Sequence, residues 1–228
     1  EEMLDKSFLG FETKKKWDYE NGFYLTSDFV RIPKLLAHYE LYKSIQALPG
    51  HIVEFGVFKG ASFIRFCTFR DMLESPYSRK VIGFDAFGKF PSYGDESDVG
   101  FINKFEKEAG EGISVRELSD SLKEKGVENF ELIQGDIKTT LPKYVEEHLE
   151  LKISLLHIDV DVYEPTKFAL DLLYPKVVKG GAIIFDEYGL MPWEGESIAV
   201  EEYFEQIDSR PVLKKFPFAI QPHGYFIK

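Results

Sequence analysis

From about residue 33 onward, short apolar segments alternate with longer segments in which apolar residues recur every three or four positions. The first longer segment predicts a helix over residues 33–48, which Pro49-Gly50 ends. The short segments are rich in β-branched and aromatic residues, which is typical of strands. The predicted strands are residues 52–55, 80–84, 130–134, 153–158, 182–185, 212–216 and 225–227, and the further predicted helices are residues 62–73, 119–125, 165–173 and 197–207.

Short apolar strands separated by helices are typical of an α/β fold, in which helices cover both faces of a mainly parallel sheet. Residues 29–228 are therefore predicted to form one domain. Residues 1–28 are polar with scattered aromatic side chains, so they predict an N-terminal arm or lid. The glycine-containing aromatic loop at residues 87–101 is predicted to be a second lid segment.

The first predicted strand ends in an acid and is followed by two glycines, in the order Glu54-Phe55-Gly56 and then Gly60. This spacing differs from the G-x-G-x-x-G pattern of dinucleotide sites, where backbone amides hold a pyrophosphate. An acid at a strand end suits a ligand with hydroxyls or a positive charge, and S-adenosylmethionine has both. Any α/β protein also needs glycines at its strand-to-helix turns, so the motif has a purely structural interpretation as well.

Each of the first five predicted strands has an acidic residue at or just after its carboxyl end, where parallel sheets bind their ligands. A single acid in such a place is commonly the N-cap of the next helix. Five in succession favour a functional site, because crowded anions raise one another's pKa unless a partner compensates them. The acids are Glu54, Asp85, Asp136, Asp159 with Asp161, and Asp186 with Glu187.

The acids form two groups. Those of the first three strands are suited to ribose hydroxyls or an adenine amine. Those of the fourth and fifth strands converge with no basic residue directly following them, which favours a divalent cation such as Mg²⁺ with oxygen ligands. The predicted metal ligands are Asp159, Asp186 and Glu187.

The amino-acid composition restricts the kinds of molecule that the protein is expected to bind. The net charge of −11 and the pI of about 5.0 disfavour nucleic acid, whose binding depends on clustered Lys and Arg. The only cysteine, Cys67, excludes an internal disulfide and indicates a reducing compartment, so a cytoplasmic location is predicted. We find no apolar segment of membrane-spanning length and no secretory signal core, although a start at Glu1 leaves a leader open. A small-molecule substrate is expected, and the oligomeric state is open, a homo-oligomer included.

The chain resembles the macrocin O-methyltransferase family, which are class I, metal-dependent methyltransferases of natural-product sugars. The resemblance covers residues 29–227, and its most specific parts follow the fourth and fifth predicted strands. These parts read His157-Ile158-Asp159-Val160-Asp161-Val162-Tyr163-Glu164-Pro165-Thr166, then Leu173-Tyr174-Pro175-Lys176, Gly180-Gly181 and Ile184-Phe185-Asp186-Glu187-Tyr188. Three positions differ from the family pattern: Val160 replaces a usual Gly, Glu187 replaces a usual Asp, and Glu196-Ser197 lies where an Arg is frequent.

The resemblance implies a Rossmann-like class I methyltransferase fold with a seven-stranded mixed sheet. It implies S-adenosylmethionine as the donor and a divalent metal at Asp159, Asp186 and Glu187. Asp159 is the expected proton acceptor for a sugar-like hydroxyl, in natural-product or polysaccharide biosynthesis. The expected cofactor-binding residues are Glu54, Gly56, Gly60, Ser62, Asp85 and Asp136.

Three other functions remain open from the sequence. A metal-independent small-molecule methyltransferase would use the acids after the fifth strand only to organise a loop. A degenerate domain would bind S-adenosylmethionine without turnover. A nicotinamide oxidoreductase is disfavoured by the glycine spacing.

Overall fold

The central sheet is formed by short strands whose side chains are almost all buried. A computed structural model describes residues 7–8, 10–89, 107–207 and 210–228. In these residues the strands are β1 (Ser7–Phe8), β2 (Phe11–Glu12), β3 (His51–Phe55), β4 (Val81–Asp85), β5 (Phe130–Gln134), β6 (Ile153–Ile158), β7 (Val177–Phe185) and β8 (Gly224–Ile227). The α-helices are α1 (Lys16–Thr26), α2 (Arg31–Ile45), α3 (Ala61–Leu73), α4 (Val115–Glu124), α5 (Ile137–Glu147), α6 (Tyr163–Leu173) and α7 (Glu194–Gln206).

The strand order in the main sheet is β5-β4-β3-β6-β7-β8. The first five of these strands are parallel to one another, and β8 pairs antiparallel with β7. The predicted Rossmann-like α/β fold is confirmed. The carboxyl ends of β3 to β7 therefore meet at one edge of the sheet, with β3 at the point where the order reverses.

The predicted seventh strand at residues 212–216 is reduced to a single bridge between Lys214 and Tyr225, so the described sheet has six strands. Pro211 has no amide hydrogen to donate to a ladder, and Val212 is 76% exposed. The segment consequently lacks the buried face that would hold it in register.

Two apolar clusters cover the two faces of the sheet. Helices α5, α6 and α7 pack on one face, and α2, α3 and α4 pack on the other. Cys67 of α3 is fully buried, and burial raises the pKa of its thiol to about 12. No helix among the described residues is long and apolar enough to cross a bilayer.

Helix α5 is absent from the sequence prediction because Leu141-Pro142 resembles the end of an element. The helix forms nonetheless, since Ile137, Leu141 and Tyr144 are buried in the core cluster. The Asp136 carboxylate accepts a hydrogen bond of 2.9 Å from the Lys138 amide and caps the first turn.

The described part of the N-terminal segment carries little of the core. Helix α1 has no buried residue, and its Trp17 and Leu25 are 70% and 74% exposed. The arm or lid at residues 1–28 stays a prediction. Most of the second predicted lid segment, residues 90–101, lies outside the described residues.

A buried arginine joins the segments that follow α2 and α3 to the amino end of β6. The Arg79 guanidinium is 4% exposed and donates to the carbonyl oxygens of Gln46 and Leu48 at 3.1 and 3.2 Å. It also donates to Ser154 Oγ at 2.7 Å and pairs with Glu74 at 3.0 Å. The turn between α2 and β3 is thereby fixed to β6.

We expect Arg79→Met to lower the free energy of unfolding by about 3 kcal/mol, because it removes the counter-ion of the largely buried Glu74 carboxylate and the arginine donor of two carbonyls. Arg116, whose side chain is 90% exposed, provides the control Arg116→Met, which should change stability by less than about 0.5 kcal/mol. Urea denaturation of both variants measures the difference. Equal midpoints would contradict this role of Arg79.

Candidate active site

A cavity of about 500 Å³ opens at the carboxyl edge of the sheet. Its walls come from the segments that follow β3 to β7, and from the first turns of α2 and α3. Among the residues predicted for the site, six line the cavity: Gly56, Ser62, Asp85, Asp159, Asp186 and Glu187. Glu54, Gly60 and Asp136 do not line it.

The turn after β3 needs a glycine at position 56. Gly56 has φ +86°, and a Cβ there would lie 1.8 Å from the carbonyl oxygen of Asp159. The turns after β3 and β6 therefore touch through their backbones, which places the two halves of the cavity side by side. Gly60, with φ +82°, packs against Leu118 instead, so its conformation and packing explain the glycine there.

The Asp85 carboxylate accepts hydrogen bonds from two loops of the cavity wall. Its Oδ2 accepts hydrogen bonds from the amides of Val57 and Phe58 at 2.7 and 2.8 Å, and its Oδ1 accepts one from the Phe87 amide at 2.6 Å. The carboxylate thus holds the segments after β3 and β4 together while it faces the cavity. One acceptor position on Oδ1 remains beyond these three bonds.

Glu54 lies beneath the cavity rather than in its wall. It is fully buried, and its Oε1 accepts a hydrogen bond from Ser62 Oγ and lies 3.2 Å from Nδ1 of His157. In this geometry Glu54 acts on the cavity through the hydroxyl of Ser62. Burial raises the pKa of the Glu54 carboxyl, and the contacts with His157 and Ser62 oppose that rise.

Asp136 is exposed and caps α5, while its neighbours Gly135 and Ile137 line the cavity. Its predicted contact with a cofactor stays a prediction. The capping bond provides the structural role that acids after strands commonly have.

Three carboxylates crowd the far side of the cavity. Ligand oxygens of Asp159, Asp161 and Glu187 lie within 4.8 Å of one another. Burial raises the pKa of each of the three, and the neighbouring acid Asp186 raises them further. Asp161 follows β6 with φ +63°, a left-handed conformation that turns the chain back toward the cluster.

No basic residue directly follows these acids in the sequence, but in the structure a lysine from another element pairs with them. The Lys34 ammonium, from the first turns of α2, pairs directly with Asp186 and lies 3.4 Å from Asp159 Oδ2. Lys34 is 7% exposed. Burial lowers its pKa, but the charges of Asp159, Asp186 and Glu187 more than offset this and raise it above its ordinary range. Asp159 and Asp186 are thus close in space to Lys34, which is remote from them in sequence.

Asp186 lies between two cations. Its Oδ2 faces Lys34, and its Oδ1 is 3.5 Å from Nε2 of His157. Burial raises the pKa of Asp186, but Lys34 and His157 reverse that effect and hold the pKa well below its ordinary value. Burial alone would lower the pKa of His157, yet its contacts with Asp186 and Glu54 raise it to about 10.

Glu196 is a further acid that sequence reasoning did not assign to the site. It lies in the first turn of α7, is fully buried, and its Oε1 accepts a 3.0 Å hydrogen bond from the Glu187 amide. Its Oε2, like Oε2 of Glu187, has no hydrogen-bond partner among the described residues. The hydrogen bond from the Glu187 amide to Glu196 fixes the backbone of Glu187 beside the cavity.

A signal for Lys34 exists in the sequence. Lys34 and His38 fall on the apolar stripe of the predicted first helix, in register with Leu41, Tyr42 and Ile45. A lysine at a core-facing position needs a buried partner. The identity of that partner follows only from the sheet order.

Comparison with known proteins identifies the family of this chain. The sequence profile of the family described as macrocin O-methyltransferase (TylF) matches residues 34–213, which hold all five acidic strand ends and Lys34. The chain belongs to the macrocin O-methyltransferase family. The predicted resemblance is therefore confirmed.

Two curated relatives are methyltransferases of Streptomyces. The demethyldecarbamoylnovobiocin O-methyltransferase of Streptomyces niveus is 29% identical over 167 residues, which are 71% of this chain and 60% of that protein. The 8-demethyl-8-(2,3-dimethoxy-alpha-L-rhamnosyl)-tetracenomycin-C 4'-O-methyltransferase of Streptomyces olivaceus is 26% identical over 147 residues, 63% of this chain and 54% of that protein. The match with this chain thus spans between half and two thirds of each relative's length.

Among solved structures, the calicheamicin methyltransferase CalS11 superposes with a TM-score of 0.70 at 27% identity, covering 92% of this chain and 84% of its own. The apo structure of CalS11, described as a TDP-rhamnose 3'-O-methyltransferase, gives a TM-score of 0.67 at 27% identity over 93% and 86% of the two chains. These likenesses confirm the class I methyltransferase fold.

We expect Asp85→Ala to weaken binding of S-adenosylhomocysteine by about tenfold or more. The variant removes the acceptor of three loop amides at once, and hydrogen bonds to a charged group contribute about 1.5–3 kcal/mol each. Calorimetry on the folded variant measures the affinity, and Asp120→Ala, at a 58% exposed side chain of α4, is the control. Unchanged affinity in Asp85→Ala would remove this residue from the cofactor site.

Proposed function

We propose that the protein transfers a methyl group from S-adenosylmethionine to a hydroxyl of a sugar or sugar-like small metabolite. The observation that carries the proposal is the single cavity that joins the glycine turn after β3 to the carboxylates after β6 and β7. Two family relatives are named for methyl transfer to sugar-bearing natural products, and CalS11 is described as acting on TDP-rhamnose. Natural-product or polysaccharide biosynthesis is the corresponding role.

The donor is assigned to the edge of β5, β4 and β3. Asp85, Gly135 and Ile137 line that part of the cavity, and we assign the remaining acceptor position of Asp85 to a ribose hydroxyl. The methionine end then lies over the turn at Gly56 and beside Ser62. Arg31 and Arg65 line the cavity on this side and provide positive charge for a carboxylate.

Asp159 is the proposed proton acceptor. It lines the cavity with 22% of its side chain exposed, at the boundary between the donor side and the other acids. Burial and the neighbouring Asp186 raise its pKa, which makes it a stronger base than an exposed aspartate. The remaining contribution of the chain is to hold the hydroxyl in line with the methyl group while water is excluded.

A divalent cation such as Mg²⁺ remains part of the proposal. Asp159, Asp161 and Glu187 fit such an ion, because their oxygens lie within 4.8 Å of one another and Oε2 of Glu187 has no partner among the described residues. A bound ion would lower the pKa of the acceptor hydroxyl. Asp186, the remaining predicted ligand, is already paired with Lys34.

We expect Asp159→Asn to lose turnover by about 10²-fold or more, since it keeps the shape of the side chain but removes its basicity. The matched control is Asp171→Asn, at an exposed position of α6. Methyl transfer to a panel of nucleotide-activated and free deoxysugars measures turnover, with S-adenosylhomocysteine affinity as the test of an intact donor site. Parent-like turnover in Asp159→Asn would exclude this residue as the base.

Chelation separates the proposal from a metal-independent methyltransferase. Activity lost with a chelator and restored by Mg²⁺ supports metal assistance, and activity that survives exhaustive chelation rules it out. Cofactor binding without turnover on any acceptor would instead identify a degenerate binding domain. A cytoplasmic location is also proposed, and the single buried cysteine supports it.

The arm at residues 1–28 and the loop at residues 87–101 are proposed to order over the cavity when ligands bind. The exposed aromatic side chains Trp17 and Tyr24, which are 70% and 64% exposed, support this for the arm. Hydrogen exchange with and without S-adenosylhomocysteine should show new protection in these two segments and little change in α6. Equal protection of both segments in the two states would contradict the lid.

A further inference from the structure

Two arginines face the cavity from neighbouring helices. Arg31 is the first residue of α2, Arg65 lies in the second turn of α3, and the two helices pack against each other. Both side chains line the cavity. Neither guanidinium has a hydrogen bond or an ion pair among the residues that the structure describes. Two positive charges therefore meet at the cavity with no anion in direct contact from the described part of the chain.

The two guanidinium groups are close enough to repel each other. Burial and the charge of Arg31 lower the pKa of Arg65. Three acids of the site oppose this shift from beyond ion-pair distance: Glu54, Asp186 and Asp159. An arginine binds a carboxylate through two parallel hydrogen bonds, so a carboxylate placed between the two side chains would be held by both. Such an anion turns a repulsion between α2 and α3 into an attraction.

The methionine end of the donor carries the carboxylate that fits this place. That end is assigned to the turn at Gly56 and to Ser62. Ser62 lies three residues before Arg65, so both side chains lie on the same face of α3, and both line the cavity. An anionic group of the acceptor fits less well, because the acceptor lies beside the crowded carboxylates after β6 and β7.

Arg31 also follows directly after the N-terminal arm. Helix α1 ends at Thr26, and Asp28 closes the link to α2. The Oδ1 atom of Asp28 accepts a 3.1 Å hydrogen bond from the Val30 amide, and its carbonyl oxygen accepts one of 3.0 Å from the Arg31 amide. A movement of the first turn of α2 is thus passed to α1 through a short, hydrogen-bonded turn. Helix α1 has no buried residue, so core packing does not fix its position.

We infer that the donor carboxylate bridges Arg31 and Arg65 and that this bridge draws the arm over the cavity, so that the arm orders when the donor binds and before an acceptor arrives. The inference rests on the proposed methyl transfer. It goes beyond that proposal by naming the ligand group and the two residues that couple donor binding to the arm.

The test compares S-adenosylhomocysteine with its decarboxylated form by hydrogen exchange of the full chain. Each ligand is present at a saturating concentration and without an acceptor, so a difference in affinity does not affect the result. In the parent, S-adenosylhomocysteine should slow exchange of the α1 amides about fivefold or more, and the decarboxylated form should slow it by less than about twofold. Helix α6 is the internal reference and should change little with either ligand.

Two variants remove the arginine charges one at a time. In Arg31→Met and in Arg65→Met, saturating S-adenosylhomocysteine should no longer change the exchange of α1. Each variant should bind S-adenosylhomocysteine about tenfold or more weakly, and its affinity for the decarboxylated form should stay within about threefold of the parent. Lys43→Met, on the exposed side of α2, is the matched control and should behave like the parent in both measurements. Circular dichroism confirms that each variant is folded.

Three results would overturn the inference: equal protection of α1 by the two ligands in the parent, no protection by either, or parent-like protection in an arginine variant. A loss confined to turnover of acceptors that bear a phosphate or a carboxylate would assign the two arginines to the acceptor and overturn it as well. In all these cases the methyltransferase proposal stands as long as the parent binds S-adenosylhomocysteine. If the parent does not bind it, that proposal itself fails.

Discussion

A row of alternating charges beneath the cavity is the interaction on which the site depends. It runs from Glu54 through His157 and Asp186 to Lys34, and it ends at Asp159. Lys34 and His157, whose pKa is raised to about 10, alternate with the acids, so the acids at the carboxyl ends of β3, β6 and β7 can be buried together. Without the two cations, the crowded carboxylates would be protonated or would force the strand ends apart.

The row also joins the two halves of the cavity. On the donor side, Glu54 holds the hydroxyl of Ser62, and on the other side Lys34 holds Asp186 and reaches Asp159. Gly56 connects the same halves through the backbone, because its turn touches the carbonyl of Asp159. Two interactions therefore organise the site: the ion pairs beneath the cavity, and the close backbone contact between Gly56 and Asp159.

The central sheet was predictable because each inner strand is a short apolar segment with a clear end. The acidic edge was predictable for a related reason, since parallel strands bring all their carboxyl ends together. Helix α5 was missed because Pro142 suggests a break, whereas burial of its apolar face outweighs the lost hydrogen bond. At residues 212–216 a strand-like pattern failed because the segment has no buried face.

Six of the nine residues predicted for the site line the cavity, but the charge balance of the site was not predictable. Lys34 is 125 positions from Asp159 in sequence, and nothing local to the acids indicates it. Only the packing of α2 on β6 and β7 brings this lysine to Asp159 and Asp186. The reason for a glycine at position 60 was equally hidden in the sequence. A Cβ there would lie 2.8 Å from the side chain of Leu118, which is distant in sequence.

The environment of Cys67 has a practical consequence. A thiol reacts as its thiolate, and the Cys67 thiol is fully buried with a pKa raised to about 12. Maleimides and other electrophilic probes will therefore leave the native protein unlabelled. A single cysteine introduced on the exposed face of α1 would be the one reactive thiol, so a fluorophore or spin label could report on the arm without first removing the natural residue.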